Sequence, residues 1–111
     1  MGQQAIAGTL QDPQRNEAGF YITGSGAFPM VGPGFAMTGG AIGPVGAWPA
    51  ATHTMVHSHP SGRGISEGDI RATNADGVRT VSAGVGTNRY GSYSRGGTPV
   101  TCNMPNRPAT P

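Results

Sequence analysis

No lysine occurs in this chain, and its seven basic residues, all arginine, are scattered from Arg15 to Arg107 without a cluster. A contiguous basic patch is the usual footprint of a nucleic-acid surface, so no nucleic-acid partner is expected. The single cysteine, Cys102, excludes an internal disulfide and any multi-cysteine metal site. No stretch approaches the roughly 18 apolar residues of a transmembrane helix, and no basic segment leads into an apolar run at the N-terminus. Neither a membrane span nor a signal peptide is therefore expected, and an export address would sit on a longer parent chain. Charge of either sign is scarce: charged residues make up 11% of the chain, against about 25% in an ordinary domain. From Ala18 to Gly62 there is no Asp, Glu, Lys or Arg at all.

What is abundant is glycine and proline, 30 of 111 residues together. That lies near the edge of low-complexity composition. Hydrophobic residues nevertheless fall in strand-like runs, so the expectation is one folded, loop-rich domain over residues 1–102 with a disordered Pro-rich tail over 103–111. A chain of this length buries about two-thirds of its unfolded surface, enough for one sheet and a helix or two.

Residues 3–11 carry Ala5, Ile6 and Leu10 on one helical face, and Asp12-Pro13 ends that helix. Glu17 to Thr23 predicts a strand with Glu17 at its start. Gly-Pro punctuation then divides the neutral stretch into short pieces, Ala27 to Val31 and Phe35 to Thr38 among them. Ala51 to His59 predicts the next strand, with Met55, His57 and His59 on one face and Val56 and Ser58 on the other. Ser66 is placed as a helix N-cap with Glu67 and Asp69 in an acidic first turn, and Gly77 stops the helix. Val78 to Val85, Tyr90 to Ser94 and Thr98 to Thr101 predict the remaining strands.

Chemistry concentrates between Val56 and Asp69. Two imidazoles at i, i+2 lie roughly 6 to 7 Å apart along one strand face, close enough to converge on one ion. His57, His59 and Asp69 match the three protein ligands of a catalytic zinc site, whose bound water becomes a nucleophile at neutral pH. Of the five carboxylates, Glu17 is the best remaining general base. Ser66 has two roles open to it, helix cap and hydrogen-bond donor to a developing oxyanion.

The run His57-Ser58-His59-Pro60, followed by Ser66-x-x-Asp69 and preceded by Glu17, resembles the JAMM (MPN/JAB) metalloproteases, which include deubiquitinating and related isopeptidases. The resemblance implies zinc held by His57, His59 and Asp69, acid–base work by Glu17, and stabilisation of the tetrahedral intermediate by Ser66. Asn16-Glu17-x-Gly19, with the later Ile65-Ser66-x-x-Asp69-Ile70, is similar to JAMM-like C-terminal domains of bacterial Rhs-type polymorphic toxins. It spans roughly residues 5–94, and the segment from Val56 to Ile70 is its specific part. Here five residues separate Pro60 from Ser66, where the usual pattern has six.

The expected fold is α/β (α+β), a mixed, mostly antiparallel sheet with one or two flanking helices, JAMM/cytidine-deaminase-like. The expected function is a zinc-dependent peptidase or isopeptidase, the effector module of a secreted polymorphic toxin delivered into a target cell. A protein or peptide substrate and a cognate immunity protein are the implied partners. The alternative is a catalytically inactive JAMM-like module that docks a protein. His53, roughly 13 Å along the strand from His57, is expected at the rim; Trp48, Phe20 and Tyr21 are expected in the core, and Cys102 as a bystander. A nucleobase deaminase would need a Cys pair, and the His-Glu-x-x-His helix of other zinc proteases is absent.

Overall fold

The computed structural model describes residues 1–103. Ten elements follow in order: α1 (Gly2–Gln11), β1 (Gly19–Thr23), β2 (Gly26–Pro29), β3 (Phe35–Thr38), β4 (Ala41–Pro44), β5 (Thr54–His59), α2 (Glu67–Asp76), β6 (Arg79–Gly84), β7 (Arg89–Tyr93) and β8 (Val100–Asn103). Six strands form one sheet in the order β2-β1-β5-β6-β7-β8, and β3 pairs with β4 in a separate hairpin. The single parallel pair is β5 with β6, because α2 carries the chain back to start β6 beside β5; every other pair is antiparallel. This is the mixed, mostly antiparallel α+β architecture expected from the sequence.

Side chains alternate across β5, and the two helices cover opposite faces of the sheet. On one face α1 buries Ala5, Ile6 and Thr9 against Val56, Ser58 and Ala83. On the other, α2 lies over Thr80 and Tyr93, with Tyr93 Oη donating to Asn74 Oδ1 at 2.7 Å. Among the described residues the buried set holds seven apolar and eight polar or histidine side chains. With so polar an interior, satisfied hydrogen bonds matter as much as apolar area.

Ser58 shows how that is managed. Its Oγ meets Thr9 Oγ1 of α1 and accepts the Ala18 N–H at 2.9 Å. One hydroxyl thereby ties α1, the approach to β1 and β5 together, between the two histidines that point the other way.

Several expectations are corrected. Glu17 does not open β1 but precedes it by two residues, outside any strand. There its N–H donates to Gly40 O at 3.0 Å, a bond to the β3–β4 hairpin rather than to the sheet. The strand through His57 begins at Thr54, since Ala51 turns through a left-handed conformation at φ 65°. Trp48, Phe20 and Tyr21 are half-buried, not core. Tyr21 instead stacks between Phe28 and Phe35 at centroid distances of 5.4 Å each, and Phe35 meets Trp48 at 6.2 Å. These rings pin the hairpin over the histidine-bearing face, because Tyr21 pairs across β1–β5 with Met55. The strand Ala41–Pro44 was not expected, and Asn103 belongs to β8 rather than to a tail. The rest of the predicted Pro-rich tail lies outside the described residues.

The Ser58 junction carries a measurable consequence. Ser58→Ala strands the Ala18 N–H and the Thr9 hydroxyl in a buried position, and urea denaturation is expected to show a loss of about 1 to 3 kcal/mol with an unchanged m-value.

Candidate metal centre

The centre is built where the C-terminal end of β5 meets the N-terminal end of α2. His57 and His59 share the face of β5 covered by α2, and both are buried, at 1% and 4% exposure. Their Nε2 atoms lie 2.9 Å apart. Asp69 reaches both, Oδ1 to His57 Nε2 at 3.0 Å and Oδ2 to His59 Nε2 at 3.2 Å.

Local helix chemistry aims that carboxylate. Ser66 and Asp69 form a reciprocal capping box, in which Ser66 Oγ accepts from Asp69 N at 3.2 Å and Asp69 Oδ2 accepts from Ser66 N at 3.0 Å. The short loop before it closes through a turn, Gly62 N–H to His59 O at 2.9 Å, with Gly62 at φ 80°. A side chain at Gly62 would also strike Thr87, whose hydroxyl donates to Gly62 O. A loop of five residues thus delivers Asp69 to the histidines.

Glu17 closes the fourth side. Its Oε2 stands 3.9 Å from His59 Nε2, and its Oε1 accepts the Ile42 N–H of β4 at 3.2 Å. Ligand atoms of Glu17, His57 and His59 all lie within 4.8 Å of one another, so these residues come together as a group able to hold a metal ion.

Proton accounting favours a cation at this point. His59 Nδ1 faces the Arg63 carbonyl at 3.2 Å, and a carbonyl can only accept, so Nδ1 carries the proton and a neutral ring presents a bare lone pair at Nε2. His57 Nδ1 meets the Thr80 hydroxyl at 3.4 Å, a group that can donate to it or accept from it. Such outer partners fix the rings of metal-bound histidines. Burial opposes ionisation of Asp69, but its hydrogen bonds from His57 and His59 outweigh that and hold the carboxyl well below the usual carboxylate range. When both rings are neutral with bare Nε2 atoms, the converging atoms are all acceptors and need a metal ion among them; when a ring is protonated, its Nε2 donates to Asp69 instead.

The spacing agrees. Tetrahedral bonds of about 2.0 to 2.2 Å put ligand atoms roughly 3.3 to 3.6 Å apart. The separations of 2.9, 3.0 and 3.2 Å need a small outward shift to match.

Burial also raises the Glu17 carboxyl above its ordinary value, against the opposing influence of His57. Ser66 lines a small cavity with Glu17 and His59 while serving as the cap. Every predicted site residue is thus at this junction. His53 stays outside it, exposed and bonded through Nδ1 to Thr54 Oγ1 at 2.8 Å, and Cys102 is exposed on β8. Sequence reasoning missed the Arg63 carbonyl, Thr80 and Ile42. The first and last act through backbone atoms that carry no residue-type signal, and Thr80 arrives from another strand.

No protein-family model, curated protein or solved structure matches the chain. Among the described residues no helix is long and apolar enough to cross a membrane.

Protons and metal compete for the same lone pairs, which gives opposite pH slopes. Burial disfavours the His59 imidazolium, but hydrogen bonding and charge from Asp69, with Glu17, raise its pKa overall above the ordinary 6.5. In EDTA-treated protein this stabilisation is fully present below about pH 6.5 and lost as pH rises through the raised value. Metal-loaded protein needs neutral rings, so its affinity rises with pH. Thermal melts between pH 5 and 8 should show the two slopes with opposite sign, and Asp69→Asn should flatten both; parallel slopes would argue against a metal at this site.

Proposed function

We propose that this protein is a zinc-dependent hydrolase of the JAMM type, cleaving a peptide or isopeptide bond. The observation that carries the reading is the convergence of His57 Nε2, His59 Nε2 and the Asp69 carboxylate on one point, with Glu17 beside it. When bound, zinc supplies Lewis acidity and lowers the pKa of a coordinated water to about 7.

The chain's own residues account for the remaining steps. His57, His59 and Asp69 serve as ligands, leaving Glu17 as the acid–base group. Its raised pKa suits taking a proton from the attacking water and returning it to the leaving nitrogen as the C–N bond breaks. The Ile42 N–H holds the carboxylate in place by bonding one oxygen, so the other faces the histidines. The Ser66 hydroxyl can donate toward the carbonyl oxygen as charge develops there, while its lone pair still caps α2.

Glu17 directed at His59 favours an active enzyme over an inactive docking module of the same fold, which has no use for an acid–base group there. The wider setting rests on the resemblance of Asn16-Glu17-x-Gly19 and Ile65-Ser66-x-x-Asp69-Ile70 to polymorphic-toxin domains. On that reading the chain is the effector module of a secreted bacterial protein, acts on a protein or peptide in a target cell, and is held in check by an immunity protein.

The test is metal content measured beside peptidase activity. Wild type is expected to carry one zinc per chain; His57→Ala and Asp69→Ala lose both metal and activity. Glu17→Gln is expected to keep the metal while activity falls by about 10² to 10⁴. Wild-type protein that takes up no zinc would refute the reading.

A further inference from the structure

Glu17 stands where two cavities adjoin. A small one of about 140 Å³ is lined by Glu17, His59, Pro60, Ser61, Arg63 and Ser66. A wider basin of about 600 Å³ has Arg15, Asn16, Glu17, Gly40, Pro60 and Ser61 in its wall. Glu17, Pro60 and Ser61 belong to both, so the cavities form one continuous approach to the histidine cluster.

Two arginines flank that approach with no anionic partner among the described residues. Arg63 Nε donates to Ser61 Oγ at 3.0 Å, which ties the guanidinium, in the wall of the small cavity, to a residue that both cavities share. Arg15 is held at the rim of the basin by a turn in which its N–H donates to Asp12 O at 3.0 Å. The five carboxylates are engaged elsewhere: Glu17 and Asp69 face the histidines, Asp12 accepts from Gln14 N, Asp76 from Trp48 and Val78, and Glu67 faces Arg71. Among the described residues only Arg71 of the arginines has an ion pair, so what sets Arg15 and Arg63 apart is their place in the walls of these cavities. Hydrolysis of a neutral amide gives them nothing to bind, whereas a guanidinium fork matches the two oxygens of a carboxylate.

We propose that Arg63, assisted by Arg15, binds a carboxylate of the substrate residue next to the scissile bond. That carboxylate is either the free C-terminus of a peptide or an Asp or Glu side chain. The inference rests on the hydrolase reading for its meaning, but the binding itself needs no metal.

One fluorescein-labelled peptide in three forms provides the test: a free C-terminal acid, the C-terminal amide, and the amide with Glu as its last residue. Binding is followed by fluorescence anisotropy, with zinc-loaded protein and with protein treated with EDTA and then dialysed. At least one carboxylate-bearing form is expected to bind about tenfold tighter than the plain amide in both preparations, and to weaken with added salt. The advantage should vanish in Arg63→Gln, shrink in Arg15→Gln and persist in Arg89→Gln, an exposed position outside both cavities. Whichever carboxylate form binds more tightly assigns the source. Equal binding of all three forms by wild type, or an advantage that survives Arg63→Gln in folded protein, overturns the proposal. Zinc content of the same samples is a separate reading: failure to take up zinc removes the hydrolase assignment while leaving carboxylate binding by the EDTA-treated protein measurable.

Discussion

The Asp69 carboxylate is the joint on which the site depends. Its Oδ2 caps α2 by accepting from Ser66 N, and the same group meets both histidines of β5. Helix start, loop and strand end are thereby fixed relative to one another by one side chain. A side chain that also holds its own backbone has few rotamers left to search, so local capping chemistry keeps the Asp69 carboxylate against the histidines.

The second organising element is the β3–β4 hairpin, which lies outside the main sheet. It meets the sheet through the Tyr21–Phe35 stack and meets Glu17 through Gly40 O and Ile42 N. The neutral, glycine-rich stretch is therefore not a loose connection. Its absence of charge lets it lie close over the site, and the Ile42 N–H of the hairpin holds the Glu17 carboxylate. The same scarcity of carboxylates leaves Arg15 and Arg63 beside the cleft with no neutralising partner among the described residues.

Sequence reasoning went furthest where a single local rule applies. The alternation of β5, the N-cap at Ser66, the stop at Gly77 and the grouping of His57, His59 and Asp69 all follow from neighbours within about a dozen residues. It went wrong where the partner is remote. Glu17 looked like a strand residue because Phe20 to Thr23 is strongly strand-forming, yet its N–H finds the hairpin instead of a sheet neighbour. Trp48, Phe20 and Tyr21 looked like core because aromatics usually are; here the interior is taken by small and polar side chains, and the rings serve as surface clamps.

By itself the sequence determined which groups could do chemistry, since a chain with three histidines, five carboxylates and one cysteine offers few combinations, and periodicity placed two imidazoles on one strand face. Tertiary structure alone decided how they are aimed. The Arg63 carbonyl and Thr80 set the ring orientations, Ile42 sets Glu17, and the turn at Gly62 brings Asp69 across a loop of five residues. The physical reason is that hydrogen bonds from backbone groups and from a parallel neighbour strand depend on where the chain returns in space, which residue identity and spacing do not encode.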